Sequence, residues 1–151
     1  MQGNPIHEAI TISGKTVRTA TVDDIEYCND ICKQIHGHDR SGKIIDNIKQ
    51  GNAKVVIHSG KITAGYTCGL DFFNHSVGLI NDDIKTLIAS VATGGGGGGG
   101  YYGGPGILFQ LKTPNCFTGG SQGLKLVQQL LLMTVGMYNE PAGPYMPSIL
   151  Y

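Results

Sequence analysis

The sequence predicts an α/β domain of the α+β kind, a mixed β-sheet flanked by helices. Three observations carry that expectation. Ala53–Gly69, AKVVIHSGKITAGYTCG, alternates with period two on both sides of Ser59-Gly60, which is the pattern of a β-hairpin. Amphipathic helical patterns lie before it and after it, and a lone hairpin is marginal in water, so its apolar side needs helices or further strands. The element order that results, β-α-α-β-β-β-α-β-β, is neither a plain parallel run nor an all-β array.

Composition sets the outer bounds. A chain of 151 residues is long enough for one domain with a real core. Eleven basic and eleven acidic residues cancel, so there is no electrostatic footprint for nucleic acid or an anionic membrane. No apolar run approaches the roughly 18 residues of a membrane span, and the polar N-terminus is no signal peptide, so a cytoplasmic location is expected. The four cysteines form no CxxC pair, and Cys28 and Cys32 fall on one helix face as buried, reduced thiols. The 24 glycines far exceed the usual share of about 7%, and seven run consecutively from Gly94 to Gly100. A flexible linker and a run standing in for unidentified side chains both fit that tract, which therefore carries no functional weight.

Residues 1–14 have no sustained periodicity and read as a linker or N-terminal arm, leaving 15–151 as the domain. Lys15 to Ala20 forms a short first strand centred on Val17. Thr21-Val22-Asp23-Asp24 is a capping box. Ile25, Cys28, Ile31, Cys32 and Ile35 then make one apolar stripe on a helix that stops near Gly37. A second helix starts at Ser41 as cap, buries Ile44, Ile45 and Ile48, and ends at Gly51. In the hairpin, Val55 and Ile57 share one face, while Ile62, Ala64, Tyr66 and Cys68 share one face of the return strand. Leu70 to Val77 reads as a further strand, and Asn81-Asp82-Asp83 opens a third helix buried through Ile84, Leu87, Ile88 and Val91. Strands are expected at Ile107–Leu111, Leu124–Val127 and Leu130–Met137. The tail from Tyr138, with three prolines, reads as irregular, with Ile149, Leu150 and Tyr151 able to dock.

With those elements in place, VRTATVDDIEYCNDICKQIHGHDRSGKI, GYTCGLDFFNHSVGLINDDIKTLI, GPGI and LKLVQQLLLMTVGMYNEPAGPYMPSILY resemble the GNAT family of N-acetyltransferases. More narrowly, the chain looks like the second half of a protein with two such domains in tandem. The resemblance runs from about Lys15 to Tyr151, except for the glycine tract and Thr113 to Gly123. Its most specific pieces are HGHDR at His36–Arg40, FFNHSVG at Phe72–Gly78, and the YNEP and PSILY segments. It implies transfer of an acetyl group from acetyl-CoA to a small-molecule amine. It also implies a cofactor cleft where two central parallel strands splay apart, and pairing with a second GNAT domain or as a homodimer. In the family the cofactor's pyrophosphate rests on backbone amides of an Arg/Gln-x-x-Gly-x-Gly/Ala loop at the start of a helix, an anion site made by a helix N-terminus.

The position equivalent to that loop is Gly78-Leu79-Ile80-Asn81, and it departs from the pattern. No glycine pair stands at the required spacing and no Arg or Gln opens the loop. Asn81 can cap the helix itself, and Asp82 and Asp83 already sit on the positive end of its dipole. This domain is therefore not expected to hold acetyl-CoA in the usual way.

Candidate catalytic residues implied by the resemblance are Tyr138, to reprotonate a departing thiolate, and Glu140, as a base; their position at the chain end beside Pro141 also fits a structural tail. His75 is a candidate general base near neutral pH, set against a structural, hydrogen-bonded histidine. His36, His38, Asp39 and Arg40 lack a second cluster to complete a metal site. They read as a helix-ending loop in which Asp39 or Ser41 caps the next helix and Arg40 pairs with a carboxylate, or as an interface or substrate contact. No metal is expected. No serine or cysteine sits in a nucleophile motif.

Overall fold

The first helix begins where the sequence says it should. Thr21 donates its backbone N–H to Asp24 Oδ2 at 2.7 Å, and the Arg18 guanidinium forks onto both Asp24 oxygens at 2.6 Å, fixing a 3₁₀ turn over Val22–Asp24. Helix α1 (Ile25–His36) follows directly. It ends at Gly37, whose φ of 77° is the left-handed conformation that only glycine adopts without strain, with its N–H on Lys33 O. The computed structural model describes residues 14–59, 61–69, 74–92, 133–138 and 140–146, the side chains of 61–63 and 91–92 excepted.

Helix α2 (Ser41–Lys49) follows the HGHDR loop. Ser41 is its first helical residue rather than its cap. The capping carboxylate is Asp39, whose Oδ1 accepts the Ser41 N–H and hydroxyl. Strands β1 (Lys15–Thr19), β2 (Lys54–His58), β3 (Lys61–Thr67), β4 (Ser76–Gly78) and β5 (Tyr145–Met146) form one five-stranded sheet in that spatial order, with helix α3 (Asn81–Ala92) between β4 and β5 in sequence. The fold is α+β, helices packed on a sheet. Every pairing among the described strands is antiparallel.

The sheet separates two cores. Val55, Tyr66, Val77 and Tyr145 face α1 and α2, packing on Cys28, Ile31, Cys32, Ile35 and Ile44. Val56 and Met146 face the other way, onto Ile84, Leu87 and Ile88 of α3. Adjacent residues such as Val55 and Val56 are both fully buried because each side of a strand has its own helical layer. The register of β2 on β3 shifts between Val56 and His58. That bulge turns Ala64 toward the α3 layer, although the alternation puts it with Tyr66.

Three expectations need correction. The strand placed at Leu70–Val77 is Ser76–Gly78, since Asn74 and His75 are not in the ladder and 70–73 lie outside the described residues. Residues 133–137 form no strand. Met133, Val135 and Met137 stand 83%, 107% and 102% exposed, so neither a sheet nor a helix covers them among the described residues. The tail is not wholly irregular, because Tyr145 and Met146 pair with Val77 and Ser76 as β5. The expected strands at 107–111 and 124–127, the glycine tract and the docking residues 149–151 lie outside the described residues.

Candidate functional site

Two places inherit the functional expectations: the α3 N-terminus, where a cofactor's pyrophosphate would rest, and the junction of α1, β4 and the tail, where the histidines and tyrosines meet.

At the first, Gly78 ends β4 so close beneath α3 that a Cβ there would lie 2.9 Å from the Asp83 Cβ. The backbone therefore approaches the helix as an anion loop requires, but Asp83 fills the space. Its Oδ2 accepts the Ile80 N–H at 2.9 Å, and its Oδ1 is paired with the Lys15 ammonium from β1. The capping role anticipated for Asn81 thus falls to Asp83, which is fully buried, with Lys15 only 6% exposed. Asp82 faces outward and pairs with Lys85 at 3.0 Å. Leu79 and Ile80 are exposed apolar side chains. The positive end of the α3 dipole already holds a carboxylate of its own.

At the second, His75, the residue just before β4, lies buried on the α1 side of the sheet. Its Nε2 is 2.7 Å from the Tyr66 hydroxyl on β3, which lies within hydrogen-bonding reach of the Cys32 thiol. His36, at the end of α1, sets its ring nearly perpendicular to His75 at 6.3 Å and to Tyr145 at 5.2 Å. Tyr145 OH is 3.4 Å from Tyr138 OH. A chain of rings thus runs from half-exposed Tyr138 through Tyr145 and His36 to buried His75. Glu140 is exposed at the start of the tail segment and outside this chain. His75, 1% exposed, is no open general base: one ring nitrogen is held by Tyr66 and solvent does not reach the other.

The rest of HGHDR forms a clamp. Arg40 donates its backbone N–H to Asn29 Oδ1, Asn29 Nδ2 donates to Asp39 Oδ2 at 2.6 Å, and Lys33 pairs with the same carboxylate at 3.3 Å. His38 takes the Arg40 Nε–H on Nε2 at 2.8 Å and has Nδ1 3.0 Å from His36 O, which assigns the Nδ1–H tautomer. Hydrogen bonds from Ser41, then Asn29, hold the Asp39 carboxyl well below the ordinary carboxylate range. Among the described residues no three His, Cys, Asp or Glu side chains are grouped to hold a metal.

The electrostatics of this junction favour neutral groups. Burial, with Arg40 and His38 adding to it, brings the His36 imidazole down to about 4. Burial, then the Arg40 and Lys43 cations, holds His75 well below its ordinary value. Burial pushes the Cys28 and Cys68 thiols up to about 12 and raises Cys32 and Tyr66, so none of these is a ready nucleophile or base.

A pH dependence follows. A histidine depressed in the fold is neutral there while the unfolded chain takes up a proton. Stability is therefore complete above about pH 6.5 and falls as the pH drops toward 4. His36 alone is expected to remove about 2–3 kcal/mol between neutrality and pH 4. Urea titrations across that range check this against His36→Gln, which should show the shallower fall. Equal slopes for the two proteins would contradict it.

No family model, curated protein or solved structure matches the chain. Among the described residues no helix is long and apolar enough to cross a membrane. The site's chemistry therefore rests on its own geometry. Sequence reasoning singled out His36, His38, His75 and Tyr138, which do converge, and missed Tyr66, Tyr145 and Lys15. The inward face of the hairpin flags Tyr66. Nothing local in the sequence signals that Tyr145 or Lys15 reaches across the sheet.

Proposed function

We propose that this chain is an acetyltransferase-like domain that serves an acetyl-CoA-dependent N-acetyltransferase without itself carrying the cofactor's pyrophosphate. Its part is to shape the acceptor side for a small-molecule amine and to form the domain interface, paired with a second GNAT-like domain or a second copy, in a cytoplasmic protein. One observation carries the reading: Asp83 occupies the α3 N-terminus, taking the Ile80 N–H and the Lys15 ammonium. A pyrophosphate arriving at Gly78–Asn81 would meet a buried carboxylate in place of free amides. Pairing is supported by the exposed apolar side chains Met133, Val135 and Met137 in the tail region and Leu79 and Ile80 before α3.

A second reading, a GNAT-like module that binds a ligand or partner with no transfer at all, is favoured by the burial of His75 and its bond to Tyr66. Calorimetry and light scattering test the proposal together. The chain alone is expected to show no micromolar affinity for acetyl-CoA and to associate at micromolar concentration. Micromolar binding with amide-shift changes at Gly78 to Asp82 would overturn the cofactor half, and a clean monomer would overturn the pairing half. Acetyl transfer restored by adding a cofactor-holding GNAT domain separates the two readings.

A further inference from the structure

Strand β1 lies at one edge of the sheet, with β2 on one side and no strand on the other among the described residues. The ladder fixes which of its backbone groups are already bonded. Ala20 donates its N–H to Ala53 O at 2.9 Å, Gly14 O accepts the Ser59 N–H at 2.9 Å, and the register between those pairs is unbroken. Bonded and non-bonded pairs alternate in an antiparallel ladder. Thr16 and Arg18 therefore turn their N–H and C=O toward β2, while Lys15, Val17 and Thr19 turn theirs out to the edge. The Thr19 carbonyl accepts Arg18 Nη1–H at 3.0 Å and keeps a lone pair for a second donor.

The usual guards of a strand edge are missing here. β1 has no proline and no bulge, and its two cations are answered within the domain. Lys15 turns onto the α3 side, where Asp83 neutralises it, and Arg18 turns onto the α1 side and forks onto Asp24. Beside Arg18 an open groove is lined by Thr21, Val22 and Tyr27, of which Val22 is 71% exposed and Tyr27 half-exposed. An open strand edge flanked by apolar side chains recognises the backbone of another extended strand.

The segment Lys15–Thr19, KTVRT, is self-complementary about Val17. With a second copy laid antiparallel and the two Val17 residues opposite, the outward groups of Lys15, Val17 and Thr19 meet those of the partner's Thr19, the partner's Val17 and the partner's Lys15. Each Arg18 lands opposite the partner's Thr16, and each Lys15 opposite the partner's Thr19, so no like charges face each other directly. Such pairing is two-fold and closed, because each copy occupies the other's β1 edge.

We propose that β1 is the docking surface for a second copy of this chain, the two β1 strands pairing antiparallel about Val17 to join the two sheets into one. The inference rests on the reading of the chain as a domain that pairs, and it names the surface and the register of that pairing.

Hydrogen exchange of the whole chain, below and above the concentration at which light scattering reports association, tests this. On association the amides of Lys15, Val17 and Thr19 should gain at least about tenfold protection, while those of Thr16, Arg18 and Ala20, already held by β2, change little. Thr19→Pro removes an outward N–H at an exposed edge position and should weaken association at least about tenfold. Thr16→Lys should weaken it as well, by facing the partner's Arg18, and Thr16→Glu should not. An associated species whose Lys15, Val17 and Thr19 amides exchange as in the monomer would overturn the β1 docking and leave pairing to another surface. A monomer at every concentration would overturn the pairing reading with it. A monomer in which those three amides are already protected would show the edge covered within the chain, and the proposal falls. The exchange pattern needs only the unsubstituted chain, so it decides the matter even if Thr19→Pro fails to fold.

Discussion

Asp83→Ala is expected to destabilise the domain by about 3–5 kcal/mol. The carboxylate is fully buried and does two things at once: it accepts the Ile80 N–H at the start of α3 and neutralises the Lys15 ammonium, itself nearly buried. Alanine leaves an uncompensated cation between β1 and α3 and an orphaned amide at the helix end. The long lysine stem can swing toward water and recover part of the loss, which places the expected value at the lower end of the range. The pair and its apolar replacement should behave differently. Lys15→Met combined with Asp83→Leu is expected to recover at least about 2 kcal/mol relative to Asp83→Ala, because a buried ion pair contributes little over well-packed apolar groups. Chemical denaturation of the three proteins measures this. A single variant within about 1 kcal/mol of the parent would show that Asp83 is not the keystone of the α3 N-terminus.

The same residue shows how much the sequence reveals. Asp82-Asp83 after Gly78 is visible as negative charge at a helix start, and that much predicts a poor anion site. Which carboxylate turns inward is decided by the closeness of β4 to α3 at Gly78 and by a lysine 68 residues away, and neither is a local property. The helices were legible for a related reason. The stripe Ile25–Ile35 and the Gly37 stop are set within one element, and the structure keeps both. The hairpin faces were legible up to the bulge near His58, where an irregular ladder breaks period two. Beyond α3 a strand was expected over Leu130–Met137, but a strand needs a neighbour to accept its backbone groups, and Met133, Val135 and Met137 stand in solvent. The pairing that does form, Tyr145–Met146 on β4, comes from two residues between prolines, too short to register as a pattern. His36 and His75 were found by residue type, whereas their burial depends on Tyr145 and Tyr66 arriving from distant strands.

Gly65→Ala is expected to cost about 3 kcal/mol or more. Gly65 faces Gly78 across the β3–β4 ladder, and the two backbones approach so closely that a Cβ on Gly65 would sit 2.6 Å from Val77 O and 2.9 Å from Gly78 Cα. Those are backbone atoms, with no flexible side-chain end to swing aside. β4 is also pinned from both directions: the Leu79 N–H is held by Ala64 O at 2.7 Å and the Gly78 N–H by Pro144 O. Relieving the clash means pushing β4 away from β3, which pulls Ser76 Oγ from its 2.6 Å bond to Thr67 Oγ1 and loosens the Tyr66–His75 contact beside it. The sheet, the α3 seat and the histidine site would all register one added methyl. Gly42→Ala supplies the comparison, because a Cβ there meets nothing within 4 Å and the residue lies in α2. It is expected to leave stability unchanged or raise it by up to about 1 kcal/mol. Thermal or urea unfolding of both variants is sufficient. A Gly65→Ala protein as stable as Gly42→Ala would mean that β3 and β4 are not in close contact at this point.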